Sequence, residues 1–390
     1  MLGGLGSNTR PRALLVGDAS LLWHLPPVLR SAGLDVDAVT VRSPYFRFPA
    51  RSSRRVRCES LQHALRTAAS WASAHRYALI VVADDMALRM LRDDPGLTDE
   101  QRVRLAPVAR PEDLGHLGSK VEMIQRLAEA GVPVPASRPV ASAAEAVSAG
   151  EVLVWPLVLK GDSGSGGRQV RIVGDERGVV AAWSELVSAH AAQEARYPPD
   201  YRQPLRVLAQ AHATGNPMDL SAFFRDGTLV HHTQSRALAD VRPLGASSVR
   251  LYRPSVRGDR QVATELSAIG AALGLDGFAN ISALERPDGS GRTYFEVDAR
   301  PNLWTHVGAQ VGDDPVVRLR GWFADGSIDL GPTGPVPSED QIVRMANRTS
   351  RRDLLRNADG VLADLSWGTP DAALFLASAL LRGPVSERRR

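Results

Sequence analysis

Between residues 12 and about 105, short apolar runs alternate with helical stretches, and this alternation constrains the fold more than any other feature. Residues 12–17 form an apolar strand, and 20–32 read as a helix interrupted at Pro26-Pro27. Residues 36–41 alternate like a strand, 61–74 are helical, and 77–83 are a buried-strand run that ends at Asp84-Asp85. Such a pattern predicts a parallel sheet covered by helices, preceded by a flexible N-terminus over 1–11. Its first turn, Gly17-Asp18-Ala19-Ser20, lacks the GxGxxG fingerprint, so dinucleotide binding is not supported.

The next segment is a helix with clear punctuation. Ser119 and Glu122 have the spacing of a capping box, and Val121, Ile124, Leu127 and Ala128 supply an apolar face. Gly131 stops the helix, and Pro133 and Pro135 follow. Strands are predicted over 152–160, 169–173, 206–213 and 220–225. Asp226-Gly227 turns the chain into a further strand over 228–234, and 278–286 with 292–300 form a hairpin around Pro287-Asp288-Gly289. From about Gly331 the chain is rich in Pro and Gly, then weakly helical over 372–381.

Only two of the 47 basic residues are lysine, Lys120 and Lys160. A GC-rich genome accounts for the arginine excess, but not for where the two lysines stand. Lys120 opens the helix after Ser119, where the helix dipole disfavours a cation, so a nearby anion is expected. Lys160 closes a strand and precedes the loop Gly161-Asp162-Ser163-Gly164-Ser165-Gly166-Gly167-Arg168. Glycines let backbone N–H groups close on a phosphate, and a lysine at the loop's base can reach phosphate oxygens. A plain flexible turn fits the same glycines, and no Walker loop is present.

In Tyr294-Phe295-Glu296-Val297-Asp298-Ala299-Arg300, alternation puts Phe295, Val297 and Ala299 on one face and Glu296, Asp298 and Arg300 on the other. Two carboxylates about 7 Å apart along a strand can share a divalent cation with phosphate oxygens. The arginine suits bidentate contact with phosphate or carboxylate. A solvated strand face with a Glu–Arg pair is the alternative.

The bulk features exclude other classes. One cysteine, Cys58, rules out an internal disulfide framework and suits a reducing compartment. The start of the chain shows neither the charged nor the apolar region of a secretion signal, and 372–381 is too short to span a bilayer. Net charge is +4 with no basic stripe carrying interleaved aromatics, so nucleic-acid binding is not expected. The run Arg51-Ser52-Ser53-Arg54-Arg55 reads as a solvated loop. His231 and His232 read as hairpin residues, Cys58 as structural, and no His/Cys set has zinc spacing.

The order of these pieces resembles the ATP-grasp superfamily: a small α/β domain, a lysine opening a helix that ends in Ala130-Gly131-Val132-Pro133-Val134-Pro135, and a lysine-bearing strand with a glycine-rich loop. Residues 207–215 are similar to the family's hinge segment beside adenine, and 295–300 to its metal-binding strand. The resemblance spans residues 10 to about 315, about four-fifths of the chain. It implies an α/β (α+β) ATP-grasp fold. A Rossmann-like pre-ATP-grasp domain covers 12–105, and the ATP-grasp domain, in two subdomains, covers 106–330 with its hinge near 207–215. Residues 331–390 form a C-terminal extension.

The resemblance implies ATP and Mg²⁺ as cofactors. It places Lys120 and Lys160 on the ATP phosphates, with Lys160 also flanking adenine. Ser163, Gly164, Ser165, Gly166 and Gly167 would fold over the β- and γ-phosphates. Gln210, Ala211, His212 and Ala213 would line adenine, Asp219 would meet the ribose, and Glu296 and Asp298 would bind Mg²⁺. Arg300, with Lys160, would serve catalysis by steadying the transferring phosphoryl group. Arg236, Arg242 and Arg250 flank a loop at 244–248; Arg236, Arg250 and Ser247 there, with Asn302 beyond the metal strand, are the substrate candidates, and His306 could reach the acceptor.

Three positions depart from the family pattern: Asp298 replaces the usual asparagine, Ala211 the hinge glutamate, and Ser282 an acidic ligand, for which Glu285 is a displaced candidate. The activity implied is a cytoplasmic, ADP-forming ligase that joins a small-molecule carboxylate to an amine, with a thiol as the alternative, and has no membrane or nucleic-acid partner; family members are often homodimers. A bicarbonate-activating carboxylase, phosphoryl transfer to a small acceptor, and a non-catalytic ATP-binding regulator are the other readings.

Overall fold

The alternation over 12–105 folds as expected in the computed structural model, which describes residues 10–18, 22, 24–41, 54–240, 247–252 and 260–344. Strands β1 (Arg12–Asp18), β2 (Asp35–Val41), β3 (Arg55–Cys58) and β4 (Leu79–Val82) pair in parallel, in the order β3-β2-β1-β4. The helix Leu61–Ala74 lies on this sheet through Ala64, Leu65, Ala68, Ala69 and Ala72. That spacing is one face of a 3.6-residue helix, and its small side chains allow close approach. Asp84 ends the strand run by capping the helix Asp85–Asp93, accepting from Ala87 N at 2.8 Å.

Pro26-Pro27 begin a helix rather than interrupt one. The helix runs Leu25–Ser31, with the prolines in its first turn, where the N–H they lack would have had no partner. Residues 19–21 and 23 of the expected longer helix lie outside the described residues.

A second sheet is antiparallel: β5 (Ser137–Val140), β6 (Leu157–Gly161), β7 (Val170–Val173) and β8 (Val207–Ala211), in the order β5-β8-β6-β7. The helices Ala143–Leu153 and Glu176–Glu194 cover one face, and Leu157, Leu159, Val173, Val179, Leu186, Val207 and Ala209 form a core of its own. Residues 152 and 153 end the first of these helices, so the strand expected from 152 starts at Leu157.

The third sheet has six antiparallel strands among the described residues. They are β9 (Asn216–Arg225), β10 (Thr228–Asp240), β11 (Ser247–Tyr252), β12 (Gly277–Glu285), β13 (Arg292–Asp298) and β14 (Gln341–Arg344), in the order β13-β12-β9-β10-β11-β14. Asp226 and Gly227 adopt φ of 47° and 74°, the two positive values a tight hairpin needs. The helix Arg260–Leu273 buries Val262, Leu266, Ile269 and Leu273, and meets the hairpin where a Cβ on Gly270 would stand 2.4 Å from Gly227 O. Strand β14 lies in the stretch read as a Pro/Gly-rich tail; residues 372–381 and the rest of 345–390 lie outside the described residues, as do 1–9, 51–53, Arg242 and 244–246. No described helix is long and apolar enough to cross a membrane.

One stability prediction follows from the segment Pro111–His116. His116 is buried, neither ring nitrogen has a hydrogen-bond partner, and burial, reinforced by Arg126, pushes its pKa down to about 4. The unfolded chain takes up this proton near 6.5, so stability is lost as pH falls from 6.5 towards 4. The loss at this site is about 3 kcal/mol. Urea unfolding of His116→Gln should show a flatter pH dependence in that window than the wild type.

Candidate active site

The three sheets enclose one cavity of about 1040 Å³. The loop from Gly161 to Gln169 lines it, with Lys120, Lys160, residues 210–213 and the end of β13. The carboxyl ends of β1 and β2 reach it through Asp18 and Val41, and Asp84 and Asp85 face it beyond β4. Crevices at the carboxyl ends of parallel strands are where α/β sheets bind ligands.

The two lysines differ in state. Lys120 Nζ donates to Glu296 Oε1 at 2.5 Å. Burial disfavours its charge, but Glu296, Asp298 and Asp85 outweigh burial and hold its pKa above the ordinary value. The anion expected near the helix start is therefore the protein's own. Asp162 adds a second, accepting from Ser119 Oγ and Val121 N at 2.8 Å each. Ser119 caps the helix as expected, accepting from Glu122 N at 3.2 Å, but Glu122 turns to Arg206 at 3.0 Å and the reciprocal half of the capping box does not form.

The Lys160 ammonium has no hydrogen-bond partner among the described residues. Its Nζ stands 4.8 Å from the centre of the Phe295 ring. Burial pulls its pKa down to about 8, with Glu296 opposing and Lys120 adding to the shift. An unpaired ammonium, 8% exposed, on the wall of a cavity is a site for an anion. Beside it, Gly166 and Gly167 take φ of 63° and 71°, a conformation that side chains rarely adopt.

Strand β13 departs from simple alternation. Ser282 pairs with Glu296 but Ala283 with Tyr294, so Phe295 is the extra residue of a bulge. Tyr294 is buried in the core, and Phe295 joins Glu296 on the cavity wall rather than facing away from it. Asp298 accepts from Asn280 Nδ2 at 3.1 Å and Arg300 Nη2 at 3.0 Å. Arg300 also grips Asp85 through Nε at 2.5 Å and Nη2 at 3.0 Å.

Burial lifts the Asp298 carboxyl to about 7; Arg300 pulls it back, while Asp85 and Glu296 push it up. For Glu296, burial acts upward, but Lys120, and then Lys160, bring its pKa below the ordinary value. Three carboxylates thus face two paired cations, Lys120 and Arg300, at one end of the cavity.

Solved structures with a similar fold are known, though the sequence matches no family model and no curated protein. The biotin carboxylase domain of Hydrogenobacter thermophilus 2-oxoglutarate carboxylase superposes with a TM-score of 0.64 at 12% identity, over 86% of this chain and 74% of that one. N5-carboxyaminoimidazole synthase from Aspergillus clavatus gives 0.58 at 16% identity, over 86% and 82%. The L-amino acid ligase of Bacillus licheniformis gives 0.57 at 15% identity, over 84% and 79%. The chain has the ATP-grasp fold. Its parallel N-terminal sheet is the Rossmann-like part of that fold.

Of the positions singled out in the sequence, Lys120, Lys160, Ser163 to Gly167, Gln210 to Ala213, Asp219, Glu296, Asp298 and Arg300 all line the ATP-grasp cavity. Several are already engaged. The N–H groups of Ala211 and His212 bond Ala136 O at 2.8 Å and Pro156 O at 3.2 Å, and Gln210 Nε2 bonds Ser137 Oγ at 3.0 Å. Asp219 accepts from Ser282 Oγ at 2.9 Å and pairs with Arg250 at 3.1 Å. Asp219, Ser282 and Glu296 sit side by side on β9, β12 and β13, so the acidic group missing at Ser282 stands one strand away. Glu285 pairs with Arg292 at 3.5 Å and does not line the cavity.

Arg250, Ser247 and Asn302 line the cavity as expected. Asn302 is tied to Ser221 at 2.6 Å and Asn280 at 3.0 Å, which fixes its amide within the protein. Arg236 is not brought to the site; it bonds Asn216 at 2.7 Å near the start of β9. His306 is outside the cavity too, its ring 5.7 Å from that of His24. Sequence reasoning missed Asp85, Arg89, Asp162 and Asn280. Asp85 was visible only as the end of a strand, and its contact with Arg300 crosses 215 positions.

Proposed function

We propose that the chain is an ATP-dependent, ADP-forming ligase that activates a small-molecule carboxylate and passes it to an amine. The observation that carries this is the buried, unpaired Lys160 ammonium facing the same cavity as the glycine-rich loop and the Glu296–Asp298 pair. An apolar-substrate pocket has no use for such a charge, whereas a polyphosphate neutralises it.

The residues fit Mg²⁺. The carboxylates of Asp85, Glu296 and Asp298 exceed the two cations paired with them, and burial, reinforced by Asp85 and Glu296, lifts the Asp298 carboxyl to about 7. Among the described residues no group of three or more His, Cys, Asp or Glu is arranged to hold a metal alone. Mg²⁺ suits this, since it takes one or two carboxylates and completes its shell with phosphate oxygens and water. Glu296 and Asp298 would hold the ion, which would supply charge neutralisation on the phosphates.

In the proposed reaction a carboxylate oxygen attacks the γ-phosphorus, the β–γ bridging bond breaks, and ADP leaves. The amine nitrogen then attacks the acyl carbon, the carbon–oxygen bond to phosphate breaks, and the amine gives up a proton. Lys120, Lys160 and Arg300 offset the charge that moves through these steps, and positioning does most of the remaining work. Of the three solved structures compared, one carries bicarbonate and one is an amino-acid ligase, so the reading stays at the level of a carboxylate substrate.

The test is nucleotide release with Mg·ATP and pooled carboxylic acids and amines, resolving ADP from AMP. ADP that depends on particular pools supports the proposal, and AMP overturns it. A non-catalytic ATP binder would instead bind the nucleotide and give no product under any pool.

A pH prediction follows from Lys160. Its ammonium loses its proton through about pH 8, so affinity for Mg·ADP should fall as pH rises from 7 to 9. Titration calorimetry should show this fall in the wild type and a flatter profile in Lys160→Arg, whose charge does not titrate there.

A further inference from the structure

The helix Asp85–Asp93 belongs to the N-terminal part of the chain, yet it holds both halves of the phosphate site. Arg89 is 1% exposed and grips the carboxylate of Glu194 with Nη1 and Nη2, each at 2.6 Å. Glu194 is the last residue of the helix Glu176–Glu194, which covers the sheet that carries the glycine-rich loop. Arg89 Nη2 also donates to Tyr201 O at 2.6 Å, Nη1 reaches Ser163 Oγ at 3.3 Å, and the guanidinium stacks 4.1 Å above the Tyr197 ring. Gln193 holds the loop from the other side, donating to Ser163 O at 3.0 Å.

Asp85 stands four residues before Arg89, so the two side chains share one face of the helix. It takes the Nε and Nη2 edge of Arg300. That leaves Nη1 with no protein partner among the described residues, in a side chain that lines the cavity.

We propose that Arg89 and Asp85 are positioning residues for phosphoryl transfer: Arg89 latches the glycine-rich loop and its subdomain over the nucleotide, and Asp85 orients Arg300 towards the γ-phosphate. The proposal rests on the ligase reading of the same cavity. The ion pair is argued from its placement and not from its net energy, because a buried pair adds little stability over an apolar substitute. What it adds is one geometry. A neutral acceptor or donor at either end loosens the fork, and the state with the glycine-rich loop latched becomes a smaller fraction of the population.

The experiment is calorimetric titration of the full chain with Mg·ADP and with Mg²⁺ and the non-hydrolysable analogue AMP-PNP, with circular dichroism to establish folding. Arg89→Gln and Glu194→Gln break the latch from opposite sides and should each weaken both nucleotides about tenfold, in proportion to the lost latched fraction. Hydrogen exchange of residues 161–169 in the nucleotide complex should rise in both variants, while β1 stays protected. Asp85→Asn should weaken AMP-PNP severalfold more than ADP, since only the former carries a γ-phosphate for Arg300 to reach; a generally disturbed fold would weaken both equally.

If Arg89→Gln does not fold, Glu194→Gln decides the first part. Folded latch variants that bind and exchange like the wild type overturn the latch. Equal losses for the two nucleotides in Asp85→Asn, or no loss, overturn the orienting role. A wild type that binds neither nucleotide overturns the ligase reading and this proposal with it.

Discussion

Glu296→Ala should lower Mg²⁺-dependent ADP formation by about a thousandfold or more, the scale of losing a preorganised charge at a transferring group. This one carboxylate has two roles. Glu296 is a proposed ligand for Mg²⁺, and it also holds Lys120 at 2.5 Å. Without it, Lys120 is drawn towards Asp298 and Asp85, whose charges already act on it. The variant therefore loses one metal ligand and draws onto the second carboxylate a cation that would otherwise meet the phosphates.

Glu296→Gln separates charge from shape. It keeps the volume and an acceptor for Lys120 but removes the ionised oxygen, so it should be nearly as inactive as Glu296→Ala. Glu296→Asp keeps the charge on a shorter arm, and raised Mg²⁺ should recover part of its activity. ADP formation at wild-type rate in Glu296→Gln would sink the metal assignment. Melting temperatures for all three should stay close to the wild type, because this side chain is 29% exposed and its loss opens no cavity in the core.

The legible parts of the sequence were those governed by local rules. Apolar spacing gave the helix over 61–74 to the residue, and Asp226-Gly227 announced its hairpin. The residues singled out by the order of lysine, glycine-rich loop and acidic strand line one cavity. The failures have a common cause in contacts between distant segments. Strict alternation could not show that a bulge turns Phe295 towards Lys160, because a bulge appears only in the register with the neighbouring strand. Glu122 has the spacing of a capping box, but Arg206, 84 positions away, takes its carboxylate. Ser282 looked like a lost ligand until β9 was seen to set Asp219 against it. Arg236 and His306 failed as site residues for the same reason, since closeness along the chain to a site residue says little about which way a fold will turn them.

Lys160→Met should cut turnover by a hundredfold or more, again the scale of one lost charge at a transferring group. It should also make the protein more stable, which sets it apart from a structural lysine. Lys160 is 8% exposed, its ammonium lies over the Phe295 face with no hydrogen-bond partner among the described residues, and burial, which Glu296 only partly offsets, pulls its pKa down to about 8. The folded state thus carries a charge it does not fully compensate.

The unfolded chain holds this proton up to about 10.4, so between 8 and 10.4 the unfolded state binds more protons and stability rises with pH. Integrated over that window the penalty is about 3 kcal/mol, present below pH 8 and relieved as pH rises. Methionine fills a similar volume without the charge, so Lys160→Met should unfold at higher urea than the wild type at pH 7, and the difference should shrink by pH 10. Mg·ADP affinity should fall in the same variant, because the anion that compensates the charge in the complex has lost its partner. A lysine kept only for packing would give the opposite stability result, with unfolding at lower urea and nucleotide affinity unchanged.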